Sequence, residues 1–547
     1  MKKLDFISLV LFLFTAYSIF AVPFRMIEVG DPLLEDYAFI IRSSEESMLS
    51  FTPPLSSDEI LGNIKKLSSQ NRSPAWKAAY DRIQRALSTN PVLLDSSLGI
   101  TVHPELALEG RWRSNSEMDW IQPEPESPAV LNLPLQFFFA NTVYARGDLI
   151  IRNDPMFYNV DESSLGTNLL LNIERIDLNM PLRAYISAGG PWWNVQLGRD
   201  KVSFGSGHTG NMALSDTPDY YDFLRFSLFS PNFKYSLFVT QMPLSTPDYF
   251  YADGFSNTSG SSIRSTTQRY LYLHRWDFRL WKRLSVGITE GVMVGNSPLE
   301  LRFLNPLTVY HSFFSWNDYP QWGTKNGDMT GSLASLDLEW ALGAGISLYG
   351  QMVMNQYQTP YELQNFTEEA TKIPNGLGWL GGLQIDRDIA GWRSNFFLEG
   401  VYTDPYLYML SSPFASFIWM RRLSAMIVKD LRYAWIGYPK GRDVISITFG
   451  THLTRDPIAL ALKLEYENCG KHSLQWDWEE SVSAAQQTTP TGIPEQSWTL
   501  ASEVQWQVIK PLSLSLGSAV RYANNSDHSL NKQAFGIELG LKAKYIF

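Results

Sequence analysis

The last stretch of the chain, residues 534–547, alternates between apolar side chains and polar or small ones. Every second residue from Phe535 to Phe547 is apolar, and Glu538, Lys542 and Lys544 lie between these positions. Because successive side chains of a β-strand point to opposite faces, a period of two predicts a strand. One face of this strand suits an apolar environment and the other suits water.

The same alternation recurs upstream in segments of about ten residues with aromatic side chains near their ends. It is regular in residues 458–467, 498–508 and 512–522, and less regular in 285–295, 346–357 and 393–402. A secreted β-sandwich or solenoid is the alternative, but it does not require an apolar face opposite a polar one in strand after strand. The pattern therefore predicts an all-β membrane protein, an antiparallel transmembrane β-barrel of about 16–18 strands, and we expect 18.

Short and long connections alternate between the predicted strands, as they do in outer-membrane barrels. The short connections fall at residues 281–284, 342–345, 390–392, 453–457 and 509–511. The long connections fall at residues 200–221, 242–267, 303–330, 357–376, 403–442, 468–497 and 523–533. With the C-terminus in the periplasm, the short connections are periplasmic turns and the long ones are outer loops. Loop 403–442 is also rich in apolar residues, which indicates a constriction inside the pore.

The N-terminus has the pattern of a secretory signal peptide. Lys2 and Lys3 precede an apolar stretch at residues 6–14, and Ser18 or Ala21 offers a small residue for cleavage. A membrane anchor is the alternative, but the apolar stretch is shorter than the roughly 20 residues that a spanning helix needs. We therefore expect residues 1–21 to be a signal peptide and the protein to be exported.

Two amphipathic helices are predicted before the barrel. Ser56 or Ser57 caps the first, with Glu59 completing a capping box for Ser56. Ser73 caps the second, with Pro74 at its first position. We expect residues 33–95 to form a small helical periplasmic region that packs against the inner rim of the barrel, and residues 98–547 to form the barrel itself.

Composition agrees with a membrane barrel. The 547 residues are 14% aromatic and 18% charged, with a mean hydropathy of −0.16 and a net charge of −10. The single cysteine, Cys469, excludes an intrachain disulfide and a CxxC metal or redox site. An acidic exported chain without a basic stripe is a poor partner for nucleic acid.

Four stretches of this sequence resemble the capsule assembly Wzi family of outer-membrane barrels. They are QLGRDKVSFGSGHTGNMALSD at 196–216, SPLELRFLNPLTVYHSFF with Asn305 and Pro306, GDMTGSLASLDLEWALGAGISLYGQM, and EGVYTDPYLY with IGYPKGRD downstream. The resemblance implies an 18-stranded barrel with a small helical part, acting as a non-catalytic surface lectin that holds exported polysaccharide on the cell. The implied partners are cell-surface polysaccharide, outer-membrane lipid and, during insertion, the barrel assembly machinery. A porin-like diffusion channel is the alternative function.

The outer loop at residues 308–323 is the candidate glycan site. It contains three aromatic residues, an amide and a carboxylate: Trp316, Asn317, Asp318, Tyr319 and Trp322. Aromatic rings stack on the apolar faces of sugars, and amides and carboxylates bind sugar hydroxyls. Alternatively, these aromatic side chains pack the loop or belong to the aromatic girdle at the membrane surface.

Inward-facing basic residues are a second candidate. The strand phase directs four of them into the lumen, where they can hold an acidic polymer or select anions: Lys463, Arg521, Lys542 and Lys544. The alternative is a self-neutralising ladder across the wall, because four carboxylates occupy neighbouring positions: Glu465, Glu467, Glu503 and Glu538.

Other patterns give no enzyme, cofactor or metal site. GSGHTG at 205–210 matches the glycine pattern of dinucleotide-binding folds, but Pro218 and turn-forming residues follow it instead of the helix that the pattern needs. A calcium site at Asp216, Asp219 and Asp222 lacks the glycine and spacing of an EF-hand.

The histidines are the remaining candidates for catalytic residues. The seven histidines show no HExxH spacing. His208 lies near Ser206 and His311 near Ser312, which is the composition of a hydrolase dyad. Such proximity in sequence arises readily by chance, so we predict no catalytic residues.

Overall fold

A computed structural model describes most of the chain. The described residues are 23–67, 72–88, 91–93, 97–121, 129–153, 164–178, 181–244, 268–295, 297–310, 330–365, 374–410, 414–424, 429–472, 474 and 488–547. The predicted signal peptide, residues 1–21, lies outside this part of the chain. Within it, no helix combines the length and apolar character needed to cross a membrane.

The dominant element is a closed antiparallel β-barrel. Its strands are β3 (Val92–Leu93), β4 (Leu98–Val102), β5 (Glu105–Arg113), β6 (Leu131–Phe139), β7 (Val143–Ile151), β8 (Leu165–Thr167), β9 (Ala184–Gly190), β10 (Trp193–Asp200), β11 (Tyr221–Phe229), β12 (Phe233–Gln241), β13 (Arg269–Leu280), β14 (Leu284–Gly295), β15 (Thr330–Gly343), β16 (Ile346–Gln356), β17 (Gly376–Ile389), β18 (Trp392–Thr403), β21 (Val444–Arg455), β22 (Ile458–Cys469), β23 (Glu495–Ile509), β24 (Leu512–Asn524) and β25 (Gln533–Ile546). Strands β4 and β5 form one interrupted strand along β6, and β3 and β8 are short additions. The barrel thus has 18 strands, as predicted.

The C-terminal strand closes the barrel. Strand β25 pairs with β5 from Glu538↔Arg113 to Ile546↔Glu105, and on its other side with β24. The predicted phase is confirmed in this region. Trp498 and Leu500 of β23 are exposed on the outer face, whereas Glu465 and Glu538 are buried on the inner face.

The turns and loops alternate as predicted. Strands β15 and β16 join through Ala344 and Gly345, and β17 and β18 through Ala390 and Gly391. These four residues have positive φ, which matches the twist of a hairpin and favours glycine at the second position. The long connections that begin after residues 200, 241, 295, 356, 403, 469 and 524 all lie at the opposite end.

Three helices precede the barrel: α1 (Pro32–Ser43), α2 (Ser57–Ile64) and α3 (Pro74–Ser88). The short strands β1 (Met26–Ile27) and β2 (Leu55–Ser56) pair beside them, and a further short helix, α4 (Pro360–Asn365), follows β16. The predicted serine caps are present, since Ser56 accepts from the Glu59 amide and Ser73 from the Trp76 amide. The Glu59 carboxylate, which was expected to complete a capping box, instead accepts from Lys234 of β12 at 2.6 Å. The apolar faces of α1, α2 and α3 share one buried core, centred on Ile40, Ile64 and Trp76.

Ion pairs attach the helices to the periplasmic ends of the strands. Arg42 of α1 donates two hydrogen bonds to Glu339 of β15, at 3.0 and 3.1 Å. Arg393 of β18 contacts Asp36 of α1 at 3.0 Å. Because these strand residues face the lumen, the helices occupy the end of the barrel that carries the short turns, along β15–β18.

Candidate functional site

Two outer loops fold back into the lumen. The connection between β10 and β11 and the connection between β18 and β21 share one buried core with inward-facing strand residues. The second connection contains a separate hairpin, β19 (Ile418–Ser424) and β20 (Lys429–Trp435). Phe204, Met212, Tyr408 and Trp435 of these loops are all buried in this core. The apolar loop 403–442 therefore does lie inside the barrel, and we refer to these two connections as the outer plug.

A buried carboxylate anchors the first loop. Glu399, on the inner face of β18, accepts from the backbone amides of His208 and Thr209, each at 2.8 Å. The Thr209 hydroxyl also donates to Glu399, and the Tyr349 hydroxyl donates at 2.9 Å. Four donors on one carboxylate fix the glycine-rich stretch 205–210 against the wall. This stretch is therefore a structural loop, with no helix after it.

His208 lies flat on the ring of Phe397, with ring centroids 4.0 Å apart and planes 4° apart. Its Nε2 atom is 2.9 Å from the Gln384 side-chain oxygen. Burial lowers the pKa of His208 to about 3, because the charged imidazolium loses its hydration. His208 is thus neutral at physiological pH. It forms no dyad with Ser206, whose hydroxyl donates to Glu339 at 3.1 Å.

Two buried arginines hold the second loop. Arg421 of the hairpin donates to Asp177 at 2.6 and 2.7 Å and to Asp219 at 2.6 Å. Arg269 of β13 donates to three carbonyl groups of the loop, those of Phe414, Ser416 and Ile418. Asp219, a candidate calcium ligand in the sequence, is therefore an ion-pair partner. Among the described residues, no group of acidic, histidine or cysteine side chains is arranged to hold a metal ion.

The outer plug meets a segment that enters from the periplasmic side. The Ser203 amide donates to the Pro53 carbonyl at 3.1 Å, and the Gly205 amide donates to the Phe51 carbonyl at 2.9 Å. Arg225, on the inner face of β11, donates to the carbonyls of Thr52 and Pro54. Residues from the two ends of the barrel are thus in direct contact inside it.

The lumen beside β22–β25 differs from the part that the outer plug occupies, because it is open to water. Inward-facing Glu503 and Gln505 of β23 are exposed, so this side of the lumen is accessible to water. The four predicted lumen charges lie on this part of the wall. Lys463 is 3.5 Å from Glu465, Arg521 is 2.8 Å from Glu495, and Lys544 is 3.0 Å from Glu105. Lys542 is paired in register with Glu109. A role of these charges in binding an acidic polymer stays a prediction.

The candidate glycan residues Trp316, Asn317, Asp318, Tyr319 and Trp322 lie outside the described residues, as does His311. Sequence reasoning missed Glu399, Arg421 and Arg269, which position the outer plug. Charged residues within apolar stretches are the only local signal that could have indicated them, and that signal does not identify a partner.

The comparisons with known proteins agree with this architecture. The family model "Capsule assembly protein Wzi" matches residues 158–423. Among curated proteins, none matches the sequence. The chain is similar to the solved structure of Wzi, an outer-membrane protein involved in group 1 capsule assembly in Escherichia coli and a carbohydrate-binding β-barrel. The identity is 17%, the match covers 94% of this chain and 98% of that one, and the TM-score is 0.54.

Weaker likenesses extend to two other barrels. OccD3 of Pseudomonas aeruginosa has 9% identity, coverage of 84% of this chain and 94% of that one, and a TM-score of 0.41. The channel DcaP of Acinetobacter baumannii has 9% identity, coverage of 83% and 98%, and a TM-score of 0.36. Scores this low say nothing about the function of the chain. Residues 158–423 thus match the model of the capsule assembly Wzi family, and the chain that contains them is a β-barrel protein of the bacterial outer membrane.

Proposed function

We propose that this protein binds exported polysaccharide at the cell surface during capsule assembly, as a lectin-like barrel that carries out no chemistry. The observation that carries the proposal is the family match over residues 158–423, which includes the first loop of the outer plug and the second loop as far as residue 423. The carbohydrate binding of Escherichia coli Wzi, whose barrel has the same fold, supports the same function here.

The partly filled lumen favours binding over transport. A diffusion channel needs a wide aqueous path, whereas here Phe51 and Gly205 meet by a backbone hydrogen bond inside the barrel and narrow the path to the side beside β22–β25. The outer plug is also fixed by ion pairs and by a shared apolar core, so it forms a firm outer surface rather than a set of loose loops. A firm surface suits polymer binding, since less conformational entropy is lost when the ligand binds.

A non-catalytic role agrees with the hydrogen bonds of Ser206 and His208, the one candidate pair within the described residues. Ser206 bonds to Glu339 and His208 bonds to Gln384, so neither is directed at the other. These groups are engaged in structural hydrogen bonds.

We place the glycan contacts on the outer loop at residues 308–323. Its aromatic side chains, Trp316, Tyr319 and Trp322, would stack on sugar rings, and Asn317 and Asp318 would bind the hydroxyls. The loop joins β14 to β15, and both strands end on the outer side next to the outer plug.

The test is binding of the refolded protein to a glycan array that includes purified surface polysaccharide. The wild type should retain at least one polysaccharide, and Trp316→Ala combined with Trp322→Ala should weaken binding at least about tenfold, or 1.4 kcal/mol. Trp281→Ala is the matched control, because Trp281 lies on a periplasmic turn and is exposed. Binding to no glycan, or an equal loss in the control, would contradict the proposal.

A further inference from the structure

The segment at residues 297–310, which follows β14, lies on the outside of the barrel. Its side chains Phe303 and Tyr310 are buried in one apolar cluster with Tyr235, Leu237 and Val292. On the strands, these residues alternate with lumen-facing neighbours such as Ser236 and Met293, so they belong to the outward face. The segment at residues 297–310 therefore folds over the wall, in contrast to the two connections that fold into the lumen.

The segment covers an ionisable pair in the outer wall. His274 and Glu290 face each other across β13 and β14, with Nε2 3.0 Å from Oε2. The Tyr310 ring lies flat on His274 at 4.0 Å, and the Tyr310 amide donates to Glu290 at 2.9 Å. Ionisable side chains in contact with acyl chains are costly. Covering them is therefore a reason for the segment to stay on the wall.

A groove lies between this segment and the wall. Leu299 and Leu304 of the segment form one side, and the outward faces of β10, β11 and β12 form the floor with Leu197, Leu224 and Val239. The groove has a volume of about 580 Å³. Its floor is still open, since Leu197 is 56% exposed and Leu224 is 37% exposed.

The outer end of the groove is polar. Arg199 and Asp222 form an ion pair at 2.7 Å there, and Gln241 lines the same end. These three residues lie at the outer ends of their strands, which places them at the level of lipid head groups, with the apolar floor below them.

We propose that this groove binds one acyl chain of an outer-leaflet lipid, with the polar part of the lipid beside Arg199 and Gln241. The groove is continuous with the lipid-facing wall, so the bilayer is the phase that fills it. An acyl chain on the convex wall contacts the protein on one side only. An acyl chain in the groove contacts both the floor and the segment at residues 297–310. The additional dispersion contacts favour the groove over the rest of the wall. This inference depends on the outer-membrane location and is independent of the proposed glycan binding.

The experiment uses full-length protein in nanodiscs of phosphatidylethanolamine and phosphatidylglycerol, with a phospholipid that has a photoreactive diazirine in one acyl chain. After illumination, mass spectrometry maps the labelled peptides. We expect labelling around Leu197, Leu224 and Leu299 to exceed labelling around Leu338 at least about tenfold, which corresponds to 1.4 kcal/mol. Leu338 is a fair reference because it is 45% exposed on the outward face of β15.

Two pairs of variants test the assignment. Leu224→Trp fills the floor and should reduce groove labelling to the level of the wall, whereas Leu338→Trp should leave it unchanged. Leu299→Asp puts a charge in the groove without altering a strand and should also reduce groove labelling to the level of the wall. Leu307→Asp should leave groove labelling unchanged, because Leu307 is exposed elsewhere on the segment. Uniform labelling of the wild-type wall, or equal labelling in Leu299→Asp and Leu307→Asp, would overturn the proposal.

Discussion

Buried charges on the loops of this protein are paired with specific partners. Arg421 is fully buried and bonds to two carboxylates, Asp177 and Asp219. Removing one member of such a group leaves the others buried with less compensation, which costs more than the loss of an exposed pair. The contribution of each ion pair to the free energy of unfolding therefore depends on how deeply the pair is buried. The sequence gives no measure of this burial.

Replacing Arg421 by methionine tests this point. We expect Arg421→Met to lower the free energy of unfolding by up to about 3–5 kcal/mol, because buried Asp177 and Asp219 lose the arginine that joins them and keep only Arg152 and Arg432 as cationic partners. Guanidinium titration of the barrel in detergent micelles measures the change. The control is Arg283→Met, since Arg283 forms an exposed pair with Glu45. This variant should lower the free energy of unfolding by only about 0–1 kcal/mol. Equal losses in the two variants would show that burial of the pair is not what matters.

His208 gives the outer plug a dependence on pH. Burial lowers its pKa to about 3, against an ordinary value of 6.5, so the unfolded loop binds a proton more readily than the folded loop. The stability of the loop is therefore fully present above about pH 6.5 and falls as the pH is lowered towards 3.

His208→Gln should flatten this dependence between pH 6.5 and the acid limit, because glutamine can still bond to Gln384 and does not titrate. Protease cleavage of the loop at residues 200–221, followed over a pH series, measures the opening. His528→Gln is the matched control, since His528 lies in the exposed outer connection after β24. If loop cleavage had the same pH profile in His208→Gln and in His528→Gln, the burial of His208 would not be the cause of the pH dependence.

At the scale of elements, local sequence predicted the strands β22–β25 and the helices α2 and α3, but it missed α1 (Pro32–Ser43). The caps at Ser56 and Ser73 need only neighbours three residues away, and the alternation of β22–β25 is visible within each strand. The segment at residues 47–55 has no such pattern. Its position inside the barrel is determined by distant partners, such as Ser285, whose hydroxyl is 2.7 Å from that of Ser47.

A disulfide between these two positions tests the placement of that segment. In a Cys469→Ala background, Ser47→Cys with Ser285→Cys should form a disulfide, because the two side-chain oxygens are already within hydrogen-bonding distance. Thiol titration and the linked peptide after proteolysis measure it. Ser47→Cys with Ser513→Cys serves as the control, since Ser513 faces the lumen from β24, on the other side of the barrel. Linkage to Ser513 as efficient as linkage to Ser285 would refute the placement.

At the scale of the whole molecule, an 18-stranded barrel is wide enough for an aqueous channel. Here the outer plug and the N-terminal helices occupy the side of the lumen along β10–β18, and exposed polar residues remain beside β22–β25. The residual opening is therefore narrower than the barrel.

Conductance in planar bilayers should reflect this filling. We expect the wild type to show a small conductance, and replacement of residues 406–438 by a short glycine–serine linker to raise it several-fold, because the hairpin and its apolar core leave the lumen. Replacing residues 525–532, an outer connection that is not part of the plug, should leave it unchanged. A large and steady conductance of the wild type would favour the channel function over surface binding.

The sequence by itself determined the barrel, the phase of its strands and the alternation of turns and loops. These features follow from local alternation and from the requirement that lipid and water meet opposite faces of each strand. Only the tertiary structure decided where the loops go. Arg421 and Asp177 are separated by 244 positions, and His274 needs Tyr310 from another element. Such contacts leave no periodic signal in the sequence, because they depend on how distant segments meet once the barrel has closed.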